Sequence, residues 1–117
     1  MPYRRILEAL LEAVAGSRAA LLLDAQGEVV VGAGELDERH RLIGAYQGIA
    51  LGMAVRTAAR FEAGQVASLA WRHEGGSVLL TTLREGYYLV LSLGPRAVLA
   101  LARRHSDEAR GRLNREI

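Results

Sequence analysis

Residues 19–31 read Ala19-Ala20-Leu21-Leu22-Leu23-Asp24-Ala25-Gln26-Gly27-Glu28-Val29-Val30-Val31. Two apolar runs flank a short polar segment that ends in glycine, the residue suited to a left-handed turn position. The stretch predicts a β-hairpin. Leu21–Leu23 is apolar at successive positions instead of alternating, as expected of a strand covered on both faces. So is Leu89–Leu91. Helices on both sides of one sheet follow from these two runs.

Working outward, Ile6, Leu7, Leu10, Leu11 and Val14 recur at helical spacing, with Gly16 placed as a C-cap. After the hairpin, Gly32-Ala33-Gly34 is expected to break the second strand as a flexible loop. Asp37 is suited to N-cap a long second helix, running to about Arg60 and closed by Ala63-Gly64. Three strands are expected at Val66–His73, Ser77–Leu83 and Tyr87–Leu93, with turns at Glu74-Gly75-Gly76 and Arg84-Glu85-Gly86. Gly94-Pro95 ends the sheet and starts a third helix, with Pro95 near its first turn. Val98, Leu101, Ala102, Ala109 and Leu113 form that helix's apolar side. The expected architecture is a single α/β (α+β) domain over residues 1–117, ordered α-β-β-α-β-β-β-α. Hairpin connections make its five-stranded sheet mainly antiparallel. There is no internal repeat, low-complexity segment or linker.

The composition excludes several chemistries. The 117 residues contain no cysteine, which removes disulfides, thiolate metal sites and a cysteine nucleophile. All 15 basic residues are arginine, so a Walker-A lysine and Schiff-base chemistry are absent as well. The net charge is only +2, the arginines are spread along the chain and aromatics are few, a pattern unlike a nucleic-acid interface. Glu8 and Glu12 interrupt what a signal-peptide core would need. The longest weakly polar stretch, Leu42–Val55, falls short of the roughly 20 residues that span a bilayer. A cytoplasmic protein without membrane insertion is expected.

The second helix carries the most functional information. Gly44, Gly48 and Gly52 recur every four residues, and each glycine inside a helix costs about 1 kcal/mol relative to alanine. Leu51, Val55 and Ala59 share the side of this stripe, while Leu42, Tyr46, Ile49 and Met53 occupy the opposite side. One apolar face must cover the chain's own sheet, leaving the other for a second cover, most simply a partner chain. The glycines either admit that partner or let the helix sit close on its own sheet. Strand three, Val66-Ala67-Ser68-Leu69-Ala70-Trp71, has no proline and no charge before Arg72. It is an inviting edge for another chain, or else an interior strand.

Enzyme constellations are weak. His40, His73 and His105 fall in different elements, and His105-Ser106-Asp107 places consecutive helical side chains in different directions. Gly32-Ala33-Gly34 lacks the third glycine and the parallel βαβ setting of a dinucleotide fingerprint. Glu35, Asp37 and Glu38 suit a helix start, and Arg56 and Arg60 suit a helix end better than they suit an arginine finger. No catalytic residue, cofactor site or metal site is expected.

The ordered set of elements resembles the Roadblock (dynein light chain Roadblock-type) family. Its marks are the buried strand Ala20–Leu23 ending in Asp24, the turn at Gly27, the second strand Glu28-Val29-Val30, a small-residue helix, and Glu85-Gly86-Tyr87-Tyr88-Leu89-Val90. It is similar to bacterial gliding-motility regulators of the MglB type. The resemblance implies a homodimer built by pairing strand three (Val66, Ser68, Leu69, Trp71) and by packing helix two against its mate. It also implies a small Ras-like GTPase as partner, whose hydrolysis some members stimulate by reshaping the GTPase. The stripe Gly44, Gly48 and Gly52, with Leu51, Val55 and Ala59 beside it, would form that binding surface. A small-molecule-sensing domain of the PAS or profilin-like type and a purely structural dimerisation module are the alternatives.

Overall fold

Strand β1 (Ser17–Leu23) lies inside a five-stranded sheet whose neighbours are all antiparallel, in the order β2-β1-β5-β4-β3. The structure, a computed structural model, describes residues 2–36 and 51–117. The chain opens with α1 (Pro2–Ala13), then β1 and β2 (Val29–Gly34) form the first hairpin. Residues 51–60 are helical and are termed α2. β3 (Ser68–His73), β4 (Gly76–Thr82) and β5 (Tyr88–Leu93) follow as a meander, and α3 (Leu99–Glu116) ends the fold. The meander returns β5 to pair with β1, Leu22 opposite Leu89, so the two leucine-rich strands sit side by side.

Each face of the sheet has its own apolar layer. Leu7, Leu10 and Val14 of the first helical segment pack with Ala102, Ala109 and Leu113 of α3 over Ala20, Leu22, Leu89 and Leu91. On the opposite face, Leu51 packs with Leu21, Leu23, Val78, Leu80, Tyr88 and Val90. Buried leucines contribute about 1.5–3 kcal/mol each, and side chains alternating between two covered faces explain the unbroken apolar runs. Ser17 Oγ donates to the Val14 carbonyl at 2.7 Å, fixing the exit from α1.

Three local expectations need correction. Gly32-Ala33-Gly34 does not break the second strand: it is the end of β2. A Cβ on Gly32 would lie 2.7 Å from Leu36 and 2.9 Å from Leu21, and one on Gly34 would collide with the Arg18 carbonyl. These glycines serve close approach, not flexibility. Pro95 lies in a turn ahead of α3, which begins at Leu99 after the N-cap Val98. Val98 and Leu101 are exposed, and the buried side of α3 is Ala102, Ser106, Ala109 and Leu113. α2 ends at Arg60 as expected, but the residues that close it lie one step before Ala63-Gly64. Ala63 N–H donates to Ala58 and Glu62 N–H to Ala59, with Glu62 in the left-handed position at φ 54°. The expected N-cap, Asp37, lies outside the described residues.

Ser106 is 1% exposed, and its hydroxyl has no hydrogen-bond partner among the described residues. Removing an unsatisfied buried hydroxyl from a helix relieves a desolvation penalty and improves helix propensity. Ser106→Ala is expected to raise stability by about 1 kcal/mol, measured as a shift in the chemical denaturation midpoint at unchanged slope.

Candidate protein interface on α2 and the β3 edge

The orientation of α2 differs from both faces that the sequence offered. Leu51 is 8% exposed, and Ala54 and Ala58 are half-buried, so the line i, i+3, i+7 faces the sheet. Leu51, grouped with the stripe from sequence, is thus turned inward. Gly52, Val55 and Ala59 are rotated off that line on one flank, with Val55 45% exposed. Met53 lies on the other flank and is 58% exposed. Gly44 and Gly48, with Leu42, Tyr46 and Ile49, lie outside the described residues.

Gly52 decides what its own chain requires of the stripe at this point. A Cβ there would meet only the Arg56 guanidinium, at 3.4 Å, among the described residues. That neighbour is the flexible end of a long side chain. Close packing on its own sheet therefore does not call for glycine at position 52.

The sheet's two edges differ in protection. Among the described residues β3 is an edge strand paired with β4 alone. Leu69 and Trp71 register with Leu80 and Val78 on the α2 face, and Trp71 is 47% exposed. Ser68 Oγ accepts a hydrogen bond from Arg103 of α3 at 2.8 Å. Val66 precedes the strand and packs, half-buried, against the α2-side layer. At the other edge, Arg4 of α1 donates to the Gly32 carbonyl of β2 at 3.2 Å. A guanidinium thus occupies a backbone acceptor of β2, one of the devices by which edges are closed to pairing.

Beside the stripe, a groove of about 820 Å³ runs between α2 and the end of the sheet. Leu51, Gly52, Val55 and Ala59 line one side, with Val66, Tyr87 and Tyr88 across from them. Its base is shaped by two turns in contact. Asp24 Oδ1 accepts from the backbone N–H of Gln26 at 2.9 Å and of Glu28 at 3.0 Å, while Gly86 (φ 78°) leaves room for Ala25. Burial, with the Asp24 carboxylate as a second cause, raises the Tyr88 phenol above its usual range.

The described histidines have local structural roles. His73 Nδ1 accepts from Gly75 N–H at 3.1 Å, and His105 Nδ1 lies 3.4 Å from Glu108. Among the described residues, no group of three or more His, Asp or Glu side chains is placed to hold a metal. Arg56 and Arg60 flank a shallow depression with Met53, Thr57 and Phe61.

Solved structures share this fold. The MglB gliding protein of Thermus thermophilus superposes with a TM-score of 0.87 at 20% identity, covering 97% of this chain and 87% of that one. The Roadblock/LC7 domain of Streptomyces avermitilis gives a TM-score of 0.81 at 20% identity, over 90% and 88% of the two chains. The chain has the Roadblock/LC7 fold. An MglB with a tetrameric arrangement is also similar, with a TM-score of 0.86 and 22% identity over 97% of this chain and 88% of that one. No family model matches the sequence, and no curated protein matches it.

On this Roadblock/LC7 scaffold, the residue that sequence reasoning passes over is Phe61, 76% exposed just beyond α2. It follows the last position of the helical repeat, so periodicity gives it no face. The groove is equally hidden, because it depends on turns that meet only in the folded sheet.

Two outcomes follow. Gly52→Ala is expected to stabilise the isolated chain by about 1 kcal/mol in denaturant melts, since the helix gains propensity and the Cβ meets no fixed atom among the described residues. The Tyr88 shift fixes a pH dependence. Its folded pKa is raised, so the unfolded state loses the proton first and stability falls as pH rises above the ordinary tyrosine value of 10.0. With no lysine or cysteine in the chain, this alkaline window belongs to the tyrosines. Tyr88→Phe should flatten the slope of unfolding free energy against pH above about 10.

Proposed function

We propose that this chain is a non-catalytic regulatory or scaffolding module that acts as a homodimer and binds a small Ras-like GTPase. The observation that carries the reading is the flank of α2 where Val55 and Ala59 are exposed and Gly52 half-buried, on a sheet whose β3 edge is open among the described residues. Antiparallel pairing of β3 with a second copy would extend the sheet, with a two-fold axis perpendicular to it. That axis keeps α1 and α3 of both copies on one side and both α2 helices on the other. Trp71 and Leu69 would then lie at the junction, and the paired α2 helices would present one layer to the GTPase. Gly44, Gly48 and Gly52 would let that partner's backbone approach closely. The fold likeness to MglB gliding proteins supports a regulatory role. Any effect on hydrolysis would come from reshaping the GTPase, a reading supported by residues 51–60 of α2, which hold no carboxylate, histidine or cysteine. Arg56 and Arg60 suit the C-terminal end of α2. No helix among the described residues is long and apolar enough to cross a membrane, and we place the protein in the cytoplasm, where such GTPases act.

A second reading, a small-molecule sensor, is favoured by one observation. The groove of about 820 Å³ falls within the range of about 300–1,000 Å³ typical of ligand sites.

Immobilised protein exposed to lysate of the source cells, with GDP or with a non-hydrolysable GTP analogue, separates the readings. Retention of a small GTPase only with the analogue is the expected result. Retention of no GTPase in either arm would contradict it, and ligand-dependent thermal stabilisation would then favour the sensor. Gly48→Arg is expected to abolish self-association or GTPase capture while circular dichroism stays unchanged. A variant unaltered in both would remove the stripe from the interface.

A further inference from the structure

A charged feature lies on the opposite side of the sheet from α2, where α1 begins and α3 ends. Tyr3 donates its hydroxyl proton to the Glu116 carbonyl at 2.8 Å, joining the first turn of α1 to the last turn of α3. Arg5, Arg112 and Arg115 surround an open depression of about 720 Å³, completed by Pro2, Ile6 and Glu116. Three guanidinium groups therefore face one carboxylate. None of the three arginines makes an ion pair among the described residues. Further along α3, Glu108 is engaged by Arg104 at 3.9 Å and by His105 at 3.4 Å.

Helix dipoles account for part of this arrangement. Arg112 and Arg115 suit the negative end of α3. Arg4 has its own task, donating to the Gly32 carbonyl. Arg5 has no such reason. It stands in the first turn of α1, which holds no acidic residue and where the dipole disfavours a cation. Its compensation comes from α3, whose negative end and Glu116 lie around the same depression, so its place is set by this corner and not by its own helix.

We infer that this corner is a docking site for an acidic peptide segment of a protein partner. Guanidinium forks match carboxylates two oxygens at a time, and three of them around one depression suit successive Asp or Glu side chains. Half-buried Ile6 gives a neighbouring apolar residue a place to rest. A flat anionic bilayer is a poorer complement. Exposed Glu8 and Glu12 on α1, with Asp107 and Glu108 on α3, share this layer and would be brought against it. The inference does not depend on the proposed GTPase surface, which lies on the other face of the sheet.

The test is fluorescence anisotropy of a labelled peptide of six glutamates and one leucine, titrated with the whole protein. Saturable binding that weakens with salt is expected, and R112E/R115E, changed at exposed positions, should weaken it about tenfold or more. Arg5→Glu separates docking from structure. It should raise the melting temperature, by favouring the dipole of α1, while weakening the peptide. Gly52→Arg should leave peptide binding unchanged, so a failed GTPase reading would not be mistaken for failure here. Absent binding, equal binding by R112E/R115E, or equal affinity for the corresponding lysine peptide would overturn the inference. Tighter, arginine-dependent binding to phosphatidylglycerol vesicles would overturn it in favour of a lipid surface.

Discussion

Burial of β1 and β5 from both faces is the constraint on which the rest of the structure depends. Leu21, Leu22 and Leu23, with Leu89, Val90 and Leu91, alternate between two layers, and neither layer can be left to water. α1 and α3 meet the demand on one face and hold each other in place through Tyr3 and Glu116. Among the described residues, α2 contributes a single buried side chain, Leu51, to the other. Met53, Val55, Phe61 and Trp71 are exposed on or beside that layer. Among the described residues, the groove, the β3 edge and the flank of α2 at Val55 and Ala59 all lie toward this second layer.

Much of this is legible in the sequence because it is encoded locally. The first hairpin follows from Asp24 and Gly27, whose turn chemistry involves residues a few positions apart. The double-sided burial follows from unbroken apolar runs. Strand order is different: β3 is an edge because β5 pairs with β1, and no short stretch of sequence records that pairing. Gly32 and Gly34 mislead a sequence reading for a related reason. A glycine can signal a break or a close approach, and the atoms that decide, from Leu21, Leu36 and Arg18, are identified only by the fold.

The candidate interface shows the same division. The stripe at Gly52, Val55 and Ala59 is visible as a periodicity, but its rotation relative to the sheet is not. Leu51 shares the stripe by helical angle and nonetheless faces inward, since sequence fixes the relative angle of two residues and not the zero of rotation. The arginine corner is invisible for a stronger reason. Arg5 and Arg112 belong to opposite ends of the chain, and their likeness of charge means something only once α1 and α3 lie side by side.

The central claim is that a second copy covers the β3 edge. Trp71 is the only tryptophan in the chain and lies on that strand, so its emission reports on the edge directly. Emission spectra would be recorded across a dilution series, with sedimentation equilibrium on the same samples. The account predicts blue-shifted emission and twice the 12.7 kDa chain mass at high concentration, with both reverting together on dilution. A monomer mass throughout, with emission unchanged by concentration, would contradict it.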